Sequence, residues 1–196
     1  MSIPIHPMRI PGRWKEGYVL DYHTTSSNFL GYDEYGHPQF DTVRTEVGEL
    51  LYRLKYRRRK DALIGLVATS ADFIRQWAPR VHVLVPVPPS KMRGIQPVIQ
   101  LVNGLSEKLQ LPLRDVVERT ESPKQLKDIF DYNERIKLLE NAYRVDAEVI
   151  RGKSLLLIDD LFRSGATLNA VTSALYDLGK ASAVYAFAPT RTRSAT

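Results

Sequence analysis

Hydrophobic positions in this chain recur in two ways: at the helical period of about 3.6 residues, and in short unbroken runs. Val43, Val47, Leu50, Leu51 and Leu54 fall at helical spacing, with Asp41 placed as an N-cap. A second helix is predicted from Asp61 to Trp77, stopped by Pro79. Val98, Leu101, Val102, Leu105 and Leu109 mark a third over residues 95–110. Leu168, Val171, Leu175 and Leu178 mark a fourth over residues 166–178, with Gly179 as its stop. The unbroken runs lie between these helices. Residues 81–85 run into Pro86-Val87-Pro88-Pro89, so that strand ends at Pro86 or lies at a sheet edge. Residues 154–158 and 182–188 give two further strands, and residues 113–117 a short one.

Strands alternating with helices predict an α/β fold, with a mostly parallel central sheet carrying helices on both faces. Residues 1–40 read differently, being rich in Pro, Gly, Tyr, His and Thr. Tyr18–Tyr22 and Phe29–Phe40 there suggest a small antiparallel sheet or hairpin. The expected organisation is therefore an N-terminal hood over 1–40 and an α/β domain over 41–196. Between them in character is a strongly polar connection, residues 118–141, carrying Arg119, Lys124, Gln125, Lys127, Arg135 and Lys137.

The most informative stretch is Leu155-Leu156-Leu157-Ile158-Asp159-Asp160-Leu161-Phe162-Arg163-Ser164-Gly165-Ala166-Thr167. An apolar strand delivers two carboxylates, and a small hydroxyl-bearing loop then opens a helix. Free backbone N–H groups and the positive end of the helix dipole make such a loop an anion cradle. Ser164 and Thr167 add hydroxyls, and Gly165 permits a tight turn. Carboxylates repel phosphate, so the natural partners of Asp159 and Asp160 are hydroxyls or a metal ion beside it. A phosphate on one side of a polyol meets both demands, and ribose 5-phosphate is the obvious candidate. Alone, the two aspartates would equally serve as turn caps; the Gly165-Ala166-Thr167 loop behind them points to a site.

Composition narrows the classes. No apolar run approaches the ~20 residues of a membrane span, and prolines occupy the first eleven residues where a signal peptide has its apolar core. A cytoplasmic protein is expected. The absence of cysteine excludes disulfides, thiol catalysis and thiolate zinc sites. The four histidines lack a helical ligand spacing. A net charge of +6 favours an anionic partner. Much of it comes from Arg53, Lys55, Arg57, Arg58, Arg59 and Lys60, with Tyr52 and Tyr56 interleaved. That run reads either as a nucleic-acid or polyphosphate contact or as a solvated helix end. A Walker B strand also ends in Asp-Asp, but no G-x-x-x-x-G-K-[ST] precedes it, and no G-x-G-x-x-G supports a dinucleotide site.

Residues 155–167 resemble the phosphoribosyl-pyrophosphate motif of type I phosphoribosyltransferases. Leu54-Lys55-Tyr56, Val85-Pro86-Val87-Pro88, Arg93-Gly94, Gln125, Glu134-Arg135 and Ala142-Tyr143 occur in the order of the ComF-like branch, the competence-protein phosphoribosyltransferases. The resemblance covers about residues 45–190. It implies that Asp159 and Asp160 bind the ribose hydroxyls and that Arg163, Ser164, Gly165, Ala166 and Thr167 hold the 5′-phosphate. It assigns the pyrophosphate to Ser90, Lys91, Arg93 and Gly94, with Mg²⁺ bound through pyrophosphate and ribose hydroxyls. Arg135 joins the two aspartates as a catalytic residue, on a mobile loop formed by the polar segment 118–141. The implied reaction transfers a phosphoribosyl group from phosphoribosyl pyrophosphate to a nitrogen acceptor, in a protein that forms a homodimer and is linked to DNA uptake. Some relatives are regulators, so a non-catalytic nucleotide sensor is the alternative, with a nucleic-acid-binding role for Arg53–Lys60 as a third.

The chain departs from the family pattern in four places. Arg163 replaces a small hydroxyl residue in the phosphate loop, and Ile95-Gln96-Pro97 stands where Phe-Asn-Gln usually follows Arg-Gly. Leu138 replaces an asparagine, and the cysteine-rich zinc module of many relatives has no counterpart.

Overall fold

A computed structural model describes residues 3–89, 96–120 and 142–193. In chain order the elements are β1 (Met8–Arg9), β2 (Glu16–Tyr22), β3 (Thr24–Tyr32), β4 (Pro38–Arg44), α1 (Glu46–Arg57), α2 (Lys60–Trp77), β5 (Val83–Pro86), α3 (Pro97–Leu109) and β6 (Val117–Arg119). They continue as β7 (Tyr143–Val145), α4 (Ala147–Ile150), β8 (Ser154–Ile158), β9 (Leu161–Phe162), α5 (Ala166–Asp177) and β10 (Ala183–Arg191). The central sheet has the order β1-β2-β10-β8-β5, with β9 also paired to β10. All its pairings are parallel except β1 with β2.

β8 shows why this sequence makes a two-sided sheet. Leu155 and Leu157 face one core with Leu168, Val171 and Leu175 of α5. Leu156 and Ile158 face a second core with Leu51 of α1, Leu66 of α2 and Leu101 of α3. All four strand residues are fully buried, contributing roughly 1.5–3 kcal/mol each. A run apolar at every position is what a strand covered on both faces requires.

β5 ends the order of the central sheet, as Pro86 predicts. The Val87 N–H donates to Ile158 O at 2.9 Å, so the missing N–H of Pro86 falls on the side away from β8. On that outer side Leu84 is bridged by Leu113, its N–H donating to Pro112 O at 2.9 Å. The short strand expected at 113–117 is thus a single bridge. The strand itself begins at Val117 and pairs with β7 in a separate two-stranded sheet.

Two expectations for the N-terminal third need correction. The first 40 residues are not one appendage: β1 and β2 belong to the central sheet, and Val19 and Leu20 are fully buried in its two cores. The β3–β4 hairpin alone forms a separate two-stranded sheet there. Asp41 does not cap α1, because it pairs with Asn28 inside β4. The cap is Thr45, whose hydroxyl donates to Tyr22 O at 2.6 Å and accepts from the Gly48 N–H at 3.0 Å. Val43 repeats at helical spacing with the residues after it, yet it is 52% exposed on the hairpin.

Thr45 and Gly48 together lock α1 against the end of β2. A Cβ on Gly48 would stand 2.0 Å from the His23 carbonyl oxygen, a backbone atom that cannot swing aside. Gly48→Ala is therefore expected to destabilise the protein by about 2–4 kcal/mol in chemical denaturation, by forcing α1 off β2.

Candidate functional site

The C-terminal ends of β5 and β8 open onto a cleft of about 420 Å³. Its lining includes Lys55, Val87, Pro88, Pro89, Arg119, Asp159, Asp160, Arg163 and Thr167. This is where open parallel sheets place ligands, because the loops after adjacent strands diverge there. Each part is positioned by the elements already described.

Asp159 follows the last residue of β8 and is tied to the neighbouring strand, its N–H donating to Phe187 O at 3.0 Å. Its Oδ1 accepts the Asp160 N–H at 2.8 Å. Burial, reinforced by the adjacent Asp160 carboxylate, pushes the Asp159 carboxyl up to about 7. Asp160 takes its counter-charge from α1: Lys55 Nζ lies 2.9 Å from Asp160 Oδ2.

The loop after the aspartates turns on Gly165, which caps α5 with φ at 76°. A side chain is doubly excluded there. The left-handed backbone disfavours one, and a Cβ would meet the Phe162 ring at 2.9 Å. Having no side chain, Gly165 leaves the first-turn N–H groups of the helix without a side-chain cap from that position. The Asn169 N–H already donates to Gly165 O at 2.8 Å. The Ser164 hydroxyl accepts from the Ala166 N–H at 3.4 Å. Arg163, Ser164 and Thr167 are exposed, Ala166 is half-buried, and Arg163 has no ion-pair partner among the described residues.

The structure therefore brings Asp159, Asp160, Arg163 and Thr167 to one cleft, with Ser164, Gly165 and Ala166 in the loop between. Ser90, Lys91, Arg93, Gly94 and Arg135 lie outside the described residues, as does nearly all of the expected mobile loop. The flanks of the 90–95 segment, Pro89 and Gln96, both line the cleft. Pro97, one of the departures from the family pattern, opens α3 at its first position.

Two residues beside the cleft carry more than their sequence suggested. Lys55 sat in a basic run that read as a helix end or an anion contact. Within that run Arg53 and Arg59 pair with Asp61, at 2.5 and 2.9 Å, while Lys55 turns inward. The signal was helical spacing, since Lys55 follows buried Leu51 by one turn. His23 sits at the end of β2, its N–H donating to Arg191 O at 2.7 Å and Nδ1 lying 3.3 Å from the Thr190 hydroxyl. Burial, then Lys55 and Arg44, hold its imidazole below the usual range. Nothing local in the sequence announces that placement.

Comparison with known proteins agrees with this architecture. The adenine phosphoribosyl transferase of Trypanosoma brucei, solved with AMP, pyrophosphate and ribose-5-phosphate, superposes with a TM-score of 0.50 at 10% identity, covering 96% of this chain and 86% of that one. The glutamine phosphoribosylpyrophosphate amidotransferase of B. subtilis, solved with ADP and GMP, gives 0.49 at 15% identity over 79% of this chain and 34% of that one. The chain has the type I phosphoribosyltransferase fold. It is a homologue of the competence protein ComFC of Bacillus subtilis (strain 168), being 30% identical to it over 147 residues, or 74% of this chain. The chain spans 60% of the length of that curated relative. No family model matches the sequence, and no helix among the described residues is long and apolar enough to cross a membrane.

A half-buried carboxyl raised to about 7 has a signed consequence for stability. Below its ordinary value of 3.8 the group is protonated whether the chain is folded or not, so it contributes no difference. Between there and about 7 the fold loses stability as pH rises, because the unfolded chain ionises first. Asp159→Asn is expected to stabilise the protein by on the order of 1–3 kcal/mol at pH 8, with almost no effect at pH 3. Denaturation curves at the two pH values check it.

Proposed function

We propose that this protein is a Mg²⁺-dependent phosphoribosyltransferase that binds phosphoribosyl pyrophosphate in the cleft after β8 and passes its phosphoribosyl group to a nitrogen acceptor. One observation carries the reading: the paired aspartates and the Gly165 loop at the start of α5 meet in a single cleft. A ligand with hydroxyls beside a phosphate uses both halves. Asp159 and Asp160 accept from the 2′- and 3′-hydroxyls, and the α5 N–H groups with the Thr167 hydroxyl take the 5′-phosphate. Arg163 adds a guanidinium where relatives have a small residue, and so strengthens the phosphate contact. Pyrophosphate leaves C1 through an oxocarbenium-like state, so the chain's work is to orient the ribose and meet the departing charge. That second task falls to Lys91, Arg93 and Arg135 by resemblance.

The donor set fits the metal. Among the described residues no group of three or more acidic or histidine side chains could hold an ion by itself. Asp159 and Asp160 suit a Mg²⁺ bound chiefly by phosphate oxygens. Held there, it would supply Lewis-acid stabilisation to the pyrophosphate. The likeness to ComFC is the basis for a role in competence, and the acceptor is to be sought by chemistry.

Calorimetry with phosphoribosyl pyrophosphate and Mg²⁺ tests the reading. Saturable binding is expected, weakened at least ~100-fold by combining Asp159→Asn with Asp160→Asn, since each removes a charge-assisted acceptor. Undiminished binding by that variant, or none by the wild type, overturns the assignment. Pyrophosphate release with amines and nucleobases then separates an enzyme from a sensor that binds without turnover.

A further inference from the structure

Lys55 has more hydrogen-bonding capacity than the described residues use. Its side chain is 15% exposed, and Asp160 Oδ2 at 2.9 Å is its one ion-pair partner among the described residues. An ammonium carries three donors. Lys55 lines the cleft, where a ligand would offer further acceptors. The cleft wall beside it, Val87, Pro88 and Pro89, has no charged side chain to serve.

Its position is rigid. Leu51 and Leu54 of α1 are sealed in the core, and Thr45 fixes the N-terminus of the helix on β2. The ammonium is thus delivered by a packed element to Asp160, in the cleft that the segment after β5 also lines.

We propose that Lys55 is a pyrophosphate-binding residue: it keeps its bond to Asp160 and gives its remaining donors to the diphosphate of the ligand. One cation then bridges the ribose-binding carboxylates and the leaving group. This rests on the reading of the cleft as a phosphoribosyl-pyrophosphate site. It adds a contact from α1, a helix to which none of the assigned site residues belongs. The competing role is a strut that only holds Asp160 in place, and such a strut would matter equally to any ligand that uses Asp160.

Two ligands that differ in the diphosphate separate these roles. The full chain is titrated calorimetrically with phosphoribosyl pyrophosphate and with ribose 5-phosphate, as wild type, Lys55→Gln and Lys55→Arg. Lys55→Gln is expected to weaken phosphoribosyl pyrophosphate by about tenfold or more and ribose 5-phosphate by less than about threefold. Lys55→Arg is expected to restore most of the lost affinity, because it returns a cation with several donors. If thermal melts show the glutamine variant unfolded, Lys55→Met, which keeps the aliphatic stem, takes its place. Equal losses for both ligands, or full retention of phosphoribosyl pyrophosphate, overturn the bridging role and leave the site reading standing. A wild type that binds neither ligand removes the site reading and this inference together.

Discussion

The site depends on keeping two adjacent carboxylates at the end of a strand buried on both faces. β8 is covered by helices on both faces, and its last apolar residue, Ile158, is fully buried. The chain therefore leaves the core with Asp159 still largely shielded from water. Two adjacent acids in such a place repel one another and lack solvation. The structure answers with one cation and two backbone tethers. Lys55 reaches across from α1 to Asp160, the Asp160 N–H bonds back to Asp159, and the Asp159 N–H is fixed to β10. The first of the two acids has its carboxyl pushed well above the usual carboxylate range, and the second is paired with Lys55.

The loop after the aspartates is shaped by the same packing. β9 pairs with β10 through Leu161 and Phe162, so the segment leaving the aspartates is pinned before it turns. Phe162 is buried next to Trp14, with ring centroids 6.3 Å apart. Its ring occupies the volume a side chain at position 165 would need. Glycine is thus required by sheet pairing and aromatic packing as much as by the turn itself. The consequence is a helix start whose cap residue brings no side chain of its own, next to a cleft lined by Arg163 and Thr167.

Sequence reading succeeded where a pattern is local and the burial uniform. Leu155–Ile158 predicts β8 at its observed bounds, with its two faces divided between two cores. α2, α3 and α5 begin and end within about two residues of expectation because a proline or glycine punctuates each. It failed where tertiary pairing overrode local rhythm. Asp41 and Val43 look like the first turn of a helix, but pairing with β3 keeps them extended. β1 and β2 look like part of an appendage, but β10 is long enough, nine residues, to take β2 as a parallel neighbour. The two-residue strand β9 carries no signal short enough to be read alone.

By itself the sequence determined the layered α/β plan, the placing of two acids just before the loop that opens a helix, and the glycine on which that loop turns. These follow from burial pattern and backbone chemistry within a dozen residues. Only the tertiary structure decided which cation serves the acids. Six basic residues lie between 53 and 60, and helical spacing turns Lys55 inward without saying which acid it meets. The rotation of α1 against the sheet sends Lys55 to Asp160 and leaves Arg53 and Arg59 to Asp61 outside. The pairing of β2 with β10 likewise set His23 beside Thr190, 167 positions away in sequence. Contacts of that range are fixed by how strands and helices stack, and no local stretch of residues encodes them.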